Sequence, residues 1–201
     1  LATVLANGTQ NTDTRQSFIT HHFLPPYCPM TLPELLSDQT KKAKEKVAII
    51  SNWLLAGSLP ADELLALAAQ AKDADKGTCI EALELATRQN AAIADEQVLA
   101  FVTGTLSGPA PRVKWESAKV IGNIAKLFPA KLKEPIHALL INTKDKSTVV
   151  RWAAAFALGE ILQLKTGHHK PLLPILEAAE SNEQDQAIRK KYQLAIAKAK
   201  K

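Results

Sequence analysis

Glycine and aromatic residues are scarce in this chain. Glycine occurs 8 times in 201 residues, and aromatics make up 5%. That is a poor supply for an all-β sandwich, whose turns and pleated faces draw on both. Two cysteines, Cys28 and Cys79, are too few for a disulfide-stapled scaffold. No apolar run reaches the roughly 18 residues that a bilayer-spanning helix needs. There is no glycine-rich phosphate loop, no Gly-x-Ser-x-Gly and no His-Glu-x-x-His. No catalytic residue is therefore assigned, and a non-enzyme is expected. No His, Cys or carboxylate spacing resembles a zinc site. His137, His168 and His169 read as solvated, Cys79 as a small buried apolar residue. Neither a metal nor another cofactor is expected.

What the chain does have is apolar residues at 46%, rich in Ala and Leu, and charged residues at 22%. This supports a folded, helical chain with a sizeable core. The net charge of +5 hides a division. Residues 1–29 are neutral. Residues 30–110 carry seven basic and eleven acidic side chains, and residues 111–201 carry seventeen and eight. An acidic half is followed by a half at +9.

Residues 1–29 differ from the rest. They hold Asn7 to Thr12 and three prolines, with no amphipathic period and no signal-peptide pattern. Met30, the single methionine, stands where regular patterning begins. The segment is read as an unstructured leader, either artificial or translated from upstream; a genuine flexible arm is the other reading. Residues 30–201 are expected to form one domain.

That domain reads as helical throughout. Val47, Ile50 and Leu54 keep a 3–4 spacing, as do Leu64, Leu65 and Ala68. Asp95 is placed to cap a helix carrying Val98, Leu99 and Val102. The decisive feature is self-similarity. Val113-Lys114-Trp115 through Gly122-Asn123-Ile124 superposes on Val150-Arg151-Trp152 through Gly159-Glu160-Ile161 at an offset of 37. The same offset carries Leu99 and Val102 onto Ile136 and Leu139, then onto Leu173 and Leu176.

On a helical wheel, Val113, Ser117, Val120, Ile121 and Ile124 share one sector, and Ala118, Gly122 and Ala125 the opposite one. A helix apolar on two sides is sandwiched, and small residues let the next repeat approach closely. Glu116, Lys119, Asn123 and Lys126 fill the remaining sector and are expected to face water.

Residues 145–160, DKSTVVRWAAAFALGE, resemble the HEAT-repeat family, in its short bacterial subtype also called PBS-lyase HEAT-like. Asp145, Val150, Arg151, Ala154, Ala155, Leu158 and Gly159 match the pattern of acidic turn, Val-Arg pair, Ala-rich stretch and Leu-Gly. The copy at Val113 departs from it with Lys114 and Ile121. The resemblance implies an all-α fold: a right-handed α-solenoid of stacked antiparallel helical hairpins, period about 37. About four hairpins and a C-terminal capping helix, Gln186 to Lys201, are expected.

Function is read from what such a stack exposes. The leading expectation is a cytoplasmic, bacterial, non-enzymatic scaffold. It binds a protein partner on a concave face lined by the helices bearing Lys133, His137, Lys170 and Glu177. The alternative is nucleic-acid binding through Lys114, Lys119, Lys126 and Arg151, with the HEAT-like DNA glycosylases as a distant parallel. A chromophore-lyase subunit follows from the subtype's name alone. Trp115 and Trp152 are aromatic candidates for a binding face, although inter-repeat packing is the favoured reading. Lys114, Arg151 and Arg189 form an in-register basic series, read chiefly as a structural ladder with turn acids such as Asp145 and Asp185. A monomer or weak head-to-tail oligomer, off the membrane, is expected.

Overall fold

The computed structural model describes residues 30–201. The leader reading, His21–His22 and Cys28 lie outside the described residues. Ten α-helices follow one another, with no strand among the described residues. They are α1 (Leu32–Ser37), α2 (Ala43–Ala56), α3 (Ala61–Gln70), α4 (Asp73–Gln89) and α5 (Glu96–Thr105). Then come α6 (Pro111–Ile124), α7 (Lys133–Asn142), α8 (Thr148–Gln163), α9 (His169–Asn182) and α10 (Gln186–Ala199).

Local chemistry sets the helix ends. Thr31 and Glu34 make a reciprocal capping box on α1. Asp95 accepts from Val98 N–H at 2.9 Å and starts α5, as its position in the sequence indicates. Asp185 does the same for α10, accepting from Ala187 and Ile188. Gly57 ends α2 in the left-handed region, at φ 70°. Asp73 and Asp75 belong to the first turn of α4. Carboxylates are favoured there by the helix dipole.

The helices stack in two rows. In one, α2, α4, α6, α8 and α10 pack against one another in succession. In the other, α3, α5 and α7 touch lightly, and α7 and α9 hardly meet. Between rows, α3 packs on α4, α5 on α6 and α7 on α8, and α9 packs on α10 more closely than on α8. The pairing frame is thus one helix out of step with the frame expected from sequence. Each VR/Ala-rich helix closes the pair that begins before it, and α10 closes the fourth of these pairs instead of standing alone as a cap.

Small residues explain the tight row. A Cβ added at Gly122 would lie 2.6 Å from the Phe156 ring and 3.3 Å from Ala157 Cα. One added at Gly159 would lie 2.8 Å from Ala195 Cβ. The core runs unbroken along the stack through Ile50, Leu83, Ile121, Leu158 and Tyr192, each essentially sealed from solvent. Burial pushes the Tyr192 hydroxyl up to about 12. It does the same to the Cys79 thiol, also to about 12, with Asp75 adding to it.

The light row is joined by side chains instead. Buried Asn142 of α7 donates to the Leu106 carbonyl at 3.2 Å, at the end of α5. Asn142→Leu would leave that carbonyl without its partner. The expected cost is about 1–3 kcal/mol, read as a lower urea midpoint with an unchanged slope. An unshifted midpoint would show that the bond contributes nothing.

Candidate functional site

The side of the tight row turned away from the light row gathers charged and aromatic side chains. Glu116 lies on α6 and is buried at 3% exposure, although its wheel position pointed to water. Lys119 and Asn123, one and two turns on, are half-buried; Lys126 alone of the four is exposed. The cause is α4. Its Glu84, also buried, approaches from the neighbouring repeat. Lys119 Nζ is held between the two carboxylates, 2.9 Å from Glu116 Oε2 and 3.2 Å from Glu84 Oε2. The Trp115 indole N–H donates to the other Glu116 oxygen. Arg88 stands further off, 4.0 Å from Glu84. Asn123 donates to the Glu84 carbonyl and to Thr87 Oγ1. Burial pushes the Glu116 carboxyl above its ordinary range, against the opposing pull of Trp115 and Lys119.

One repeat on, Trp152 and Phe156 of α8 are stacked, with centroids 6.0 Å apart and planes 10° apart. Lys191 of α10 lies over the Trp152 ring at 4.6 Å. Trp115, Trp152 and Phe156 are all half-buried. Each therefore packs with part of its surface and presents the rest. Phe156 was hidden in the sequence inside an Ala-rich run. Its signal is helical spacing, four residues after Trp152 and at the register position of Lys119.

The in-register bases are engaged within the stack. Lys114 Nζ donates to Asp145 Oδ2 at 2.8 Å, and this bond holds the Asp145 carboxyl below its usual range. Arg151 meets Glu183 at 3.0 Å and donates to the Asp145 carbonyl. Burial raises the Glu183 carboxyl, but Arg151 and the Asp185 N–H outweigh it and leave it low. Arg189 donates to the Glu183 carbonyl at 2.6 Å. Arg112, not singled out in sequence, joins the series through Glu81 at 2.6 Å. The acid facing Arg151 is thus Glu183; Asp185 is occupied as a helix cap. Of the four anion-contact candidates, Lys114, Lys119 and Arg151 already have carboxylate partners, and Lys126 has none among the described residues.

The predicted concave-face residues lie on the light row. Lys133 and His137 are exposed on α7, and His137 borders a shallow depression with Lys114 and Lys144. Lys170 is exposed near the start of α9. Glu177 of α9 pairs with Lys200 at 2.8 Å. His169 sits within the first turn of α9, its ring against the Leu162 carbonyl. Among the described residues no group of three or more His, Cys, Asp or Glu side chains could hold a metal ion. No helix among them is long and apolar enough to cross a membrane.

The HEAT repeat family matches residues 136–164, which cover most of α7 and all of α8. The family's own unit thus has the same frame as the packing. Among solved structures, the chain is similar to the complex of CpcE and CpcF of phycocyanin lyase from Nostoc sp.. Identity is 23%, coverage 82% of this chain and 96% of that one, and the TM-score 0.62. It is also similar to a designed armadillo repeat protein in complex with the peptide (KR)4. There identity is 21%, coverage 84% and 80%, and the TM-score 0.63. Computationally designed armadillo repeat proteins for modular peptide recognition match at 21% identity, with coverage 83% and 80% and a TM-score of 0.62. Likeness at these identities is likeness of fold. No curated protein sequence matches the chain. The molecule is an all-α solenoid of HEAT and armadillo type that carries a HEAT repeat.

Proposed function

We propose that this HEAT-type solenoid is a non-enzymatic scaffold that binds a protein partner along the row α2, α4, α6, α8 and α10. A stack with unequal row spacing curves towards the tighter row, which supports that row as the inner face. The carrying observation is the aromatic series. Trp115, Trp152 and Phe156 stand half-presented on two adjacent helices of the row, beside Lys119 and Lys191. Large rigid aromatics flanked by charge are the usual anchors of an interface. Two of the structural neighbours are complexes, one of two proteins and one with a peptide. The +9 charge of the C-terminal part favours nucleic acid less than its sum implies, because three of the four candidate contacts, Lys114, Lys119 and Arg151, are already held by carboxylates.

The test compares the two rows. Trp115→Ala/Trp152→Ala removes the inner anchors; Lys133→Ala/His137→Ala changes the outer row. Retention of partners from the native cell extract is quantified for both, with circular dichroism as the folding control. The expected result is a loss of roughly thirtyfold for the tryptophan pair, since an anchor contributes about 2 kcal/mol or more. The outer pair should bind as wild type. Loss in the outer pair alone would place the binding face on α7 and α9 and sink this reading.

A further inference from the structure

The inner row contains a cleft of about 430 Å³ where the ends of α4 and α6 meet α8. Its floor is Gly122, Ala125 and the Phe156 ring. Arg88 comes to it from α4, Lys126 from just past the end of α6 and Glu160 from α8. These three charges have little to hold them. Arg88 comes no nearer to a carboxylate than the 4.0 Å to Glu84. Lys126 makes no ion pair among the described residues, and Glu160 meets only the Gln163 amide, at 3.5 Å. Elsewhere in the stack the charges pair across repeats at 2.6 to 3.2 Å. Here opposite charges face the same cleft without pairing, and the space between them is open over an aromatic floor.

We propose that this cleft seats an extended segment of the partner carrying an acidic and a basic residue about three positions apart. The acidic side chain lies against Arg88 and Lys126, the basic one against Glu160. The intervening residues cover Gly122 and Phe156. The spacing follows from geometry. Lys126, just past the end of α6, is one helix step, about 8–10 Å, from Glu160 on α8, and an extended chain advances about 3.3 Å per residue. Gly122 matters because a side chain there would fill the floor and displace Phe156. The inference rests on the inner row being the binding face, and it specifies the chemistry read there.

The probes are three fluorescein-labelled, end-blocked octapeptides on an Ala/Tyr frame, titrated by anisotropy at low salt. One carries Glu and Lys three apart, one two Glu, one two Lys. Wild-type protein should prefer the dipolar peptide by about tenfold, the scale of two or three modest ion pairs together. Glu160→Lys should switch the preference to the diacidic peptide, and Arg88→Glu/Lys126→Glu to the dibasic one. These residues are peripheral to the core, and circular dichroism checks that each variant folds. An unchanged ranking in both charge variants overturns the proposal, as does the absence of peptide binding to wild type. If the ranking is unmoved while Trp115→Ala/Trp152→Ala still weakens binding, the inner-face reading stands and the charge inference alone falls. If a single-stranded DNA 12-mer binds more tightly than every peptide, both fall.

Discussion

Replacing Lys119 by methionine is expected to destabilise the protein by about 3–5 kcal/mol at neutral pH, the usual cost of stranding buried charge. Among the described residues, the lysine ammonium is the one cation in close contact with the two buried carboxylates, Glu84 and Glu116. Methionine keeps the length and apolar stem of the side chain, so the loss is electrostatic. The Glu116 carboxyl, already held above its ordinary range by burial, then has a cheaper alternative, which is to take up a proton. The pH dependence of the deficit follows in sign. A carboxyl whose folded value lies above its ordinary one holds more protons folded than unfolded between those two values. Stability therefore rises as pH falls through that window. Urea unfolding of the variant at pH 8 and pH 5 should show the deficit shrinking at pH 5. An equal deficit at both would mean that the carboxyls are solvated and that Lys119 acts only by packing.

The same reasoning gives the wild-type profile. Glu116, raised above its ordinary 4.5, costs stability as pH climbs from there. Asp145 and Glu183 are lowered from 3.8 and 4.5. Their contribution is complete above those values and is lost as pH falls through the folded ones. Glu116→Gln should flatten the slope on the alkaline side of 4.5 and leave the acid limb intact.

Gly159→Leu is the second large effect. The Cβ alone would meet the Ala195 Cβ, which is fixed to the α10 backbone and cannot swing aside. The helices α8 and α10 must separate. Overpacking of this kind costs about 1–3 kcal/mol or more. In a stack held by nearest-neighbour contacts the damage stays local. Amide exchange should accelerate in α9 and α10 while α2 to α6 keep their protection. The equivalent Gly122→Leu change, in the middle of the stack, should instead loosen both sides of the α6–α8 seam. Uniform loss of protection in Gly159→Leu would show that the whole chain unfolds as one unit.

The 37-residue offset, the helices and the small-residue seams were readable from sequence, because period and side-chain size are local properties. The pairing frame was not. An offset is the same whichever helix is taken as first, so self-similarity sets the period and leaves the phase open. The contacts, and the family match over residues 136–164, show that α7 belongs with α8. Glu116 marks a second boundary. A helical wheel places it by angle on an isolated cylinder, and nothing in that angle says that Glu84 of the next repeat will arrive to cover it. Trp115 and Trp152 were visible through their shared register; Phe156 was masked as one more apolar residue. Arg151 found Glu183 in place of Asp185, because a helix start uses its capping acid before a distant base can.

The unequal rows also decide how the molecule bends. They behave as the spine and the page edges of a book. Changing the spacing of α7 and α9 disturbs few contacts, whereas pulling α6 from α8 breaks a seam built on Gly122, Phe156 and Ala157. Curvature is therefore soft and inner contour length is stiff. The solenoid can open or tighten around a guest while the distance between the residues that read that guest stays nearly constant.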